Sequence, residues 1–256
     1  MAVALLQSQL LLKVPDVAHG FTAREGGLSK GAFCSLNLGT RIGDERQVVD
    51  ENRQAVLAAI GRARTTWVSL RQVHGSDVVE VTRNAGGGIE ADGLWTRDPE
   101  VAIAILVADC VPILLVDVQG SAVAAVHAGW RGTEARTVES MVKRLGREGI
   151  PPERLRVAIG PAIGPCCYEV GEDVAQKLAL AVPFCQDGVR AAPGGKAMVD
   201  LWAMNRAILE NVGVSASAID IFKLCTSCNH GFFSHRRDQG KTGRQGGVIA
   251  LASRRR

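Results

Sequence analysis

Apolar and polar residues alternate along this chain in two rhythms, and Gly and Pro punctuate them. Short runs rich in branched residues predict strands at Val17–Thr22, Trp67–Leu70, Val78–Thr82, Leu155–Ile159, Ile219–Lys223 and Val248–Ala252. Three further β-rich runs follow closely on one another at Val101–Val107, Ile113–Asp117 and Ala122–Val126. Helical spacing appears from Asp44, a cap, to about Ile60, with Val48, Val49, Ala55, Val56, Ala59 and Ile60 on or near one face. Further helices are predicted from Thr133 to Arg147, ended by Gly149 and Pro151-Pro152, from Glu172 to Leu180, and from an Asp200 cap to about Val212. Ala85–Gly88 and Pro193–Gly195 are the expected flexible loops.

Strands and helices mix without a regular βα alternation, which favours an α+β layered fold over a doubly wound sheet. There is no long linker and no repeat at solenoid periods, so residues 1–256 are expected to form a single domain.

Composition narrows the partners. The net charge is +4, part of it in the Arg254–Arg256 tail, and aromatics make up only 4%. Stacking platforms for bases are therefore scarce, and nucleic acid is not the expected partner. A small anion such as phosphate fits the modest excess. The longest apolar run is broken by Asp109 and Pro112, which argues against a membrane span. Seven cysteines, an odd number, without a recognisable signal peptide predict reduced thiols in the cytoplasm. Oligomeric state is not readable.

The chemistry gathers at strand ends. His74, Cys110 and His127 each stand beside a Gly or Pro breaker, in Gln72-Val73-His74-Gly75, Asp109-Cys110-Val111-Pro112 and Val126-His127-Ala128-Gly129. Two imidazoles and a thiolate suit zinc, and three protein ligands leave a fourth position open, as in catalytic sites. The same residues are also compatible with a small buried thiol and two satisfied histidines. Asp109, next to Cys110, is expected either to join His74, Cys110 and His127 in the catalytic group by orienting a histidine ligand or bound water, or to act as a turn or helix-cap acceptor. Arg53, Arg131, Arg236 and Arg237 are candidate anion ligands by residue type. A second metal reading, Cys225-Thr226-Ser227-Cys228 with His230, lacks a second C-x-x-C, and Cys166-Cys167, a vicinal pair that does not easily chelate one ion, is expected to pack at a turn.

Taken in order, Arg71–Gly75, Ala108–Cys110, His127–Gly132, Ile159–Pro165 and Phe232–Asp238 resemble the polyphenol oxidase or laccase-domain family, now described as purine nucleoside phosphorylases, with some bacterial members named peptidoglycan editing factors. Ser35–Gly39, Asn52-Arg53 and Ala91-Asp92 also match that pattern, so the likeness covers nearly the whole chain. The resemblance implies a four-layer α/β/β/α sandwich with mixed sheets and a zinc site at His74, Cys110 and His127. It also implies phosphorolysis of adenosine, inosine, guanosine and methylthioadenosine, with adenosine deamination as a side activity. At His235 the family also often carries Tyr, so the resemblance assigns that imidazole no fixed role. Editing hydrolysis of a peptidoglycan precursor is the alternative. A true laccase is excluded by counting: a blue copper centre plus a trinuclear cluster consumes far more histidines than the five present. Copper remains an adventitious substitute for zinc, because it binds such donors more tightly.

Overall fold

A computed structural model describes residues 3–85 and 87–252; Met1, Ala2, Gly86 and residues 253–256, with the Arg254–Arg256 tail, lie outside the described residues. In chain order the strands are β1 (Leu5–Leu6), β2 (Val17–Thr22), β3 (Thr66–Ser69), β4 (Val78–Glu80), β5 (Gly93–Thr96), β6 (Val101–Val107) and β7 (Val111–Asp117). They continue with β8 (Val123–Ala128), β9 (Leu155–Ile159), β10 (Glu169–Gly171), β11 (Val189–Ala192), β12 (Lys196–Val199), β13 (Ile219–Ile221) and β14 (Gln245–Leu251). The α-helices are α1 (Gln9–Leu12), α2 (Arg46–Ala59), α3 (Trp130–Glu134), α4 (Thr137–Arg147), α5 (Glu172–Ala181) and α6 (Leu201–Asn211).

One sheet has the order β1-β2-β14-β6-β3 and a second the order β13-β9-β7-β8-β5-β4. Both are mixed: β3 with β6, β4 with β5 and β13 with β9 run parallel, and their other neighbours run antiparallel. The period-two side-chain rule explains how the sheets stack. On β6, Val101, Ile103, Ile105 and Val107 face the second sheet's Leu114, Val116, Val123 and Ala125, forming the inter-sheet core. The intervening Ala102 and Ala104 point outward against Val56 and Leu57 of α2. On the far side, Ile113, Leu115, Ala124 and Val126 meet Val138, Met141 and Leu145 of α4 and Ile208 and Leu209 of α6. The result is helix, sheet, sheet, helix, the expected α+β sandwich. Its central strands are apolar on both faces because each face has a layer to cover it.

Several boundaries differ from the sequence reading. The helix expected from Thr133 to Arg147 is two, α3 and α4, divided at Arg136, whose φ of 55° is left-handed. Asp44 does not cap α2; Glu45 holds that place without a side-chain bond, and the Asp44 carboxylate accepts from Ser29 Oγ and Asn37 Nδ2 instead. Asp200 does cap α6, accepting from the Ala203 amide at 2.9 Å. Pro193–Gly195 is the tight turn of a hairpin between β11 and β12, with Gly194 and Gly195 at φ of 74° and 70°. With β10 these strands form a small third sheet that the periodicity did not reveal.

The buried His19 of β2 gives the fold a pH dependence. Its Nε2 accepts from the Ser8 amide at 2.9 Å, so the proton of the neutral ring sits on Nδ1, and protonating Nε2 would break that bond. Burial lowers its pKa to about 4, against a smaller opposing pull from Asp220. The unfolded chain, with an ordinary histidine, binds the proton first as pH falls. This contribution to stability is therefore intact above about pH 6.5 and is lost as pH falls towards 4, by roughly 3 kcal/mol. His19→Gln keeps an acceptor for the Ser8 amide but cannot titrate. Denaturant unfolding of the two proteins between pH 7 and 4 should give a flatter profile for the variant; parallel profiles would refute the assignment.

Candidate metal centre

Two of the three candidate ligands stand where the chain crosses from one sheet to the other. His74 lies between β3 of the first sheet and β4 of the second, and Cys110 lies between β6 and β7. His127 is the penultimate residue of β8, opposite Pro112 of β7. Pro112 fits because it is only the second residue of its strand, a position that tolerates a missing donor. At this rim of the sandwich the three ligand atoms come within 4.8 Å of one another. The two imidazoles meet edge to face, with ring centroids 4.9 Å apart.

The crossings are tightly bent. His74 and Asp109 both have positive φ, 62° and 85°, a conformation that side-chain-bearing residues adopt only when their surroundings impose it. At His74 the imposing group is the fully buried Asp92. Its Oδ1 accepts from the His74 amide (3.0 Å) and its Oδ2 from the Gly75 amide (2.6 Å) and the Val73 amide (3.2 Å). Oδ1 also contacts His127 Nδ1 at 2.7 Å, and the Asp92 carbonyl accepts from the His127 amide. One carboxylate thus shapes the loop that carries one histidine and fixes the ring of the other, leaving Nε2 of His127 for a ligand bond.

Electrostatics bind the group together. Burial would raise the Cys110 thiol, but His127 foremost, with His74, draws it down to about 6. Burial would likewise lower His127, yet the Cys110 sulfur and Asp92 raise it to about 9. The pair thus favours thiolate and imidazolium together, and a thiolate is the form that binds metal. Gly129, just past β8, leaves room for the sulfur: a Cβ there would lie 2.8 Å from Cys110 Sγ.

His74, Cys110 and His127 line a cleft of about 760 Å³. Arg41, Arg46, Arg53, Arg71, Arg236 and Arg244 line it too, and Asp109 is the one carboxylate among its lining residues. Arg53 donates to the Leu38 carbonyl and Arg236 to the Glu169 carbonyl while lying over the Tyr168 ring. Arg46 pairs with Asp50 and Arg71 with Glu90. The other two arginines expected at the site are not among the lining residues, although the Arg131 charge acts on the hydroxyl of the lining Tyr168. Arg131 lies over the ring of its neighbour Trp130. The Arg237 guanidinium binds the carbonyls of Thr226, Asn229 and Phe232 and the Asp238 carboxylate, so it closes a turn.

Asp109 reaches the cleft but not a histidine. Its carboxylate accepts from Thr226 Oγ1 at 2.6 Å and from the Arg236 amide at 2.7 Å, and it pins the segment that carries Arg236 to the cleft. The histidine-orienting part falls to Asp92, which sequence reasoning gave no role. Arg41, Tyr168 and Arg244 were also passed over. An acidic residue just before a strand, or an arginine in a glycine-bearing loop, carries no local signal of what it will face.

Comparison with known proteins shows the family and the fold. The family described as multi-copper polyphenol oxidoreductase laccase matches residues 18–252. A protein of Geobacillus stearothermophilus named purine nucleoside phosphorylase YlmD is 41% identical over 248 residues, covering 92% of this chain and 89% of its own. A Deinococcus radiodurans protein named purine nucleoside phosphorylase is 42% identical over 246 residues, covering 95% and 94%. The crystal structure of YlmD from Geobacillus stearothermophilus superposes with a TM-score of 0.92 at 37% identity, covering 99% of this chain and 97% of that one.

Proposed function

Since this chain belongs to the multi-copper polyphenol oxidoreductase laccase family, we propose that it is a zinc-dependent purine nucleoside phosphorylase built as one catalytic domain over residues 1–256. The observation that carries this reading is a cleft with His74, Cys110 and His127 among its walls and six arginines around it. The substrates are adenosine, inosine, guanosine and methylthioadenosine with phosphate, and adenosine deamination is a side activity.

The donor set fits the proposed metal. Two imidazoles and a thiolate within 4.8 Å match zinc and leave a position for a ligand from solution. Copper can occupy the same donors adventitiously. When bound, zinc supplies Lewis-acid polarisation of an oxygen on phosphate or water.

In phosphorolysis a phosphate oxygen bonds to the anomeric carbon of ribose while the bond to the purine nitrogen breaks, its electron pair leaving with the base. The guanidiniums of Arg53, Arg236, Arg244 and Arg41 hold the anion, with charge-assisted hydrogen bonds. Arg237 is held in its turn, and Arg131, stacked on Trp130, supports this wall through its charge on the Tyr168 hydroxyl. Tyr168 stays a hydrogen-bond donor at neutral pH, because burial and then the Cys110 charge push its hydroxyl up to about 12. That donor suits the departing base. Asp109 places Arg236 through its backbone amide. All seven thiols are free, which suits a reducing compartment, and no helix among the described residues is long and apolar enough to cross a membrane. The cytoplasm is the proposed location.

Two measurements test the reading. Free base and ribose 1-phosphate should appear from adenosine and inosine in proportion to phosphate, and Cys110→Ala should abolish both. Base release that ignores phosphate would instead indicate a hydrolase, and no release at all would move the editing of a peptidoglycan precursor ahead. Arg41 has no hydrogen bond or ion pair among the described residues, so its charge is free for the substrate. Arg41→Ala should raise the KM for phosphate ~10-fold with a smaller change in kcat, the loss of one charged hydrogen bond. An unaltered KM would remove Arg41 from the anion site.

A further inference from the structure

The second concentration of thiols lies away from the cleft floor, on two turns that the chain brings together from 61 residues apart. Cys166 and Cys167 follow Gly164-Pro165 in a turn closed by the Cys167 amide on the Gly164 carbonyl. Cys225 and Cys228 belong to a second turn, joined to the first by a parallel bridge between Ala162 and Cys225 and by the Thr226 amide on the Ala162 carbonyl. All four sulfurs lie within 4.8 Å of one another. Cys228 Sγ is 3.0 Å from Cys167 Sγ and 3.4 Å from Cys166 Sγ. We propose that Cys166, Cys167, Cys225 and Cys228 form a second metal site that holds one structural zinc ion as a closed tetrathiolate.

The dimensions suit the ion. Zinc–sulfur bonds of about 2.3 Å in a tetrahedron set sulfur–sulfur edges of about 3.8 Å, within the spread of the four thiols here. The Cys225 sulfur is already met by a backbone donor: it accepts from the Gly164 amide at 3.2 Å, a contact that favours its anion. Cys166 and Cys228 are exposed, so the ion can enter from solvent. His230 is not in the group. The vicinal pair thus supplies the second half that the C-x-x-C lacked: in a tight turn, neighbouring side chains escape the opposite-face rule of a strand. Four protein ligands leave no position for substrate, which makes this site structural where the His-Cys-His site is open.

Its place in the fold says what it holds. Thr226, between two of the ligands, donates to Asp109 beside Cys110. Tyr168 directly follows Cys167 and lies under Arg236 at the cleft wall. A metal here clips together the two segments that carry that wall.

The test uses the full-length Cys110→Ala protein, which lacks the thiolate of the cleft site, stripped of metal under reducing conditions and titrated with cobalt(II) alone. One equivalent should develop the visible and charge-transfer bands of tetrahedral tetrathiolate cobalt, and zinc should bleach them. Adding Cys167→Ser and Cys228→Ser should abolish the bands. Should that variant fail to fold, alkylation of the Cys110→Ala protein decides: zinc must protect these four thiols while Cys34 and Cys185 still react. Absent or unaltered bands, equal alkylation with and without zinc, or disulfides among these four in freshly isolated protein would overturn the proposal.

Discussion

Asp92→Asn is expected to weaken metal binding ~10- to 100-fold and to lower stability by about 3 kcal/mol, although Asp92 touches no substrate. The carboxylate is fully buried and meets four nitrogens, three of them the amides of Val73, His74 and Gly75 and the fourth His127 Nδ1. Asparagine has the same shape but only one acceptor oxygen, and its amide hydrogens would face hydrogens already there. The loop could then no longer hold His74 at its positive φ, and the His127 ring would lose its anchor. Zinc affinity from a competing chelator, with melting temperature measured alongside, checks both halves. Wild-type values for both would show that Asp92 is a bystander. Asp109→Asn is the informative contrast, since its carboxylate holds Thr226 and the Arg236 amide. It should raise the substrate KM and leave metal affinity near wild type.

Gly129→Ala should cost at least ~100-fold in activity, the scale associated with displacing a reacting group by about an ångström. The backbone there, at φ −72° and ψ −174°, is ordinary for alanine, so strain is not the reason. The reason is the neighbouring sulfur: the added Cβ would lie 2.8 Å from Cys110 Sγ and 3.5 Å from His74 Cδ2. Cys110 can relieve the contact only by turning its thiol out of the group. A double-mutant cycle separates this from general damage. In a Cys110→Ala background, where turnover is already lost, Gly129→Ala should leave the melting temperature unchanged, because the sulfur is gone. If it lowers that temperature as much as it does in the wild type, the collision is not the cause.

How much of this was legible beforehand depends on whether the cause was local. β2, β6 and β9 begin and end where their runs rich in branched and apolar residues do, because most of their side chains face a covering layer. His74, Cys110 and His127, each beside a breaker, stood out as possible ligands, and the family resemblance favoured that role over a buried thiol and two satisfied histidines; the Asp200 cap was visible from its residue type. Other features depend on partners far along the chain. Asp44 left its helix for Ser29 and Asn37, and Arg237 was drawn into a turn by carbonyls that only the fold presents to it.

The sequence by itself determined the layered α+β class and the kinds of donor available for a metal, since periodicity and side-chain chemistry are properties of neighbouring residues. Tertiary structure alone decided which groups meet. It sent the chain from one sheet to the other at both His74 and Cys110, so that two crossings and the end of β8 converge within 4.8 Å. It placed Asp92, 35 residues before His127, under that ring, and it joined Cys166 and Cys167 to a C-x-x-C about sixty residues away. Contacts of that separation are set by how whole sheets stack and where their edges turn, and no stretch of sequence short enough to read by period contains both partners.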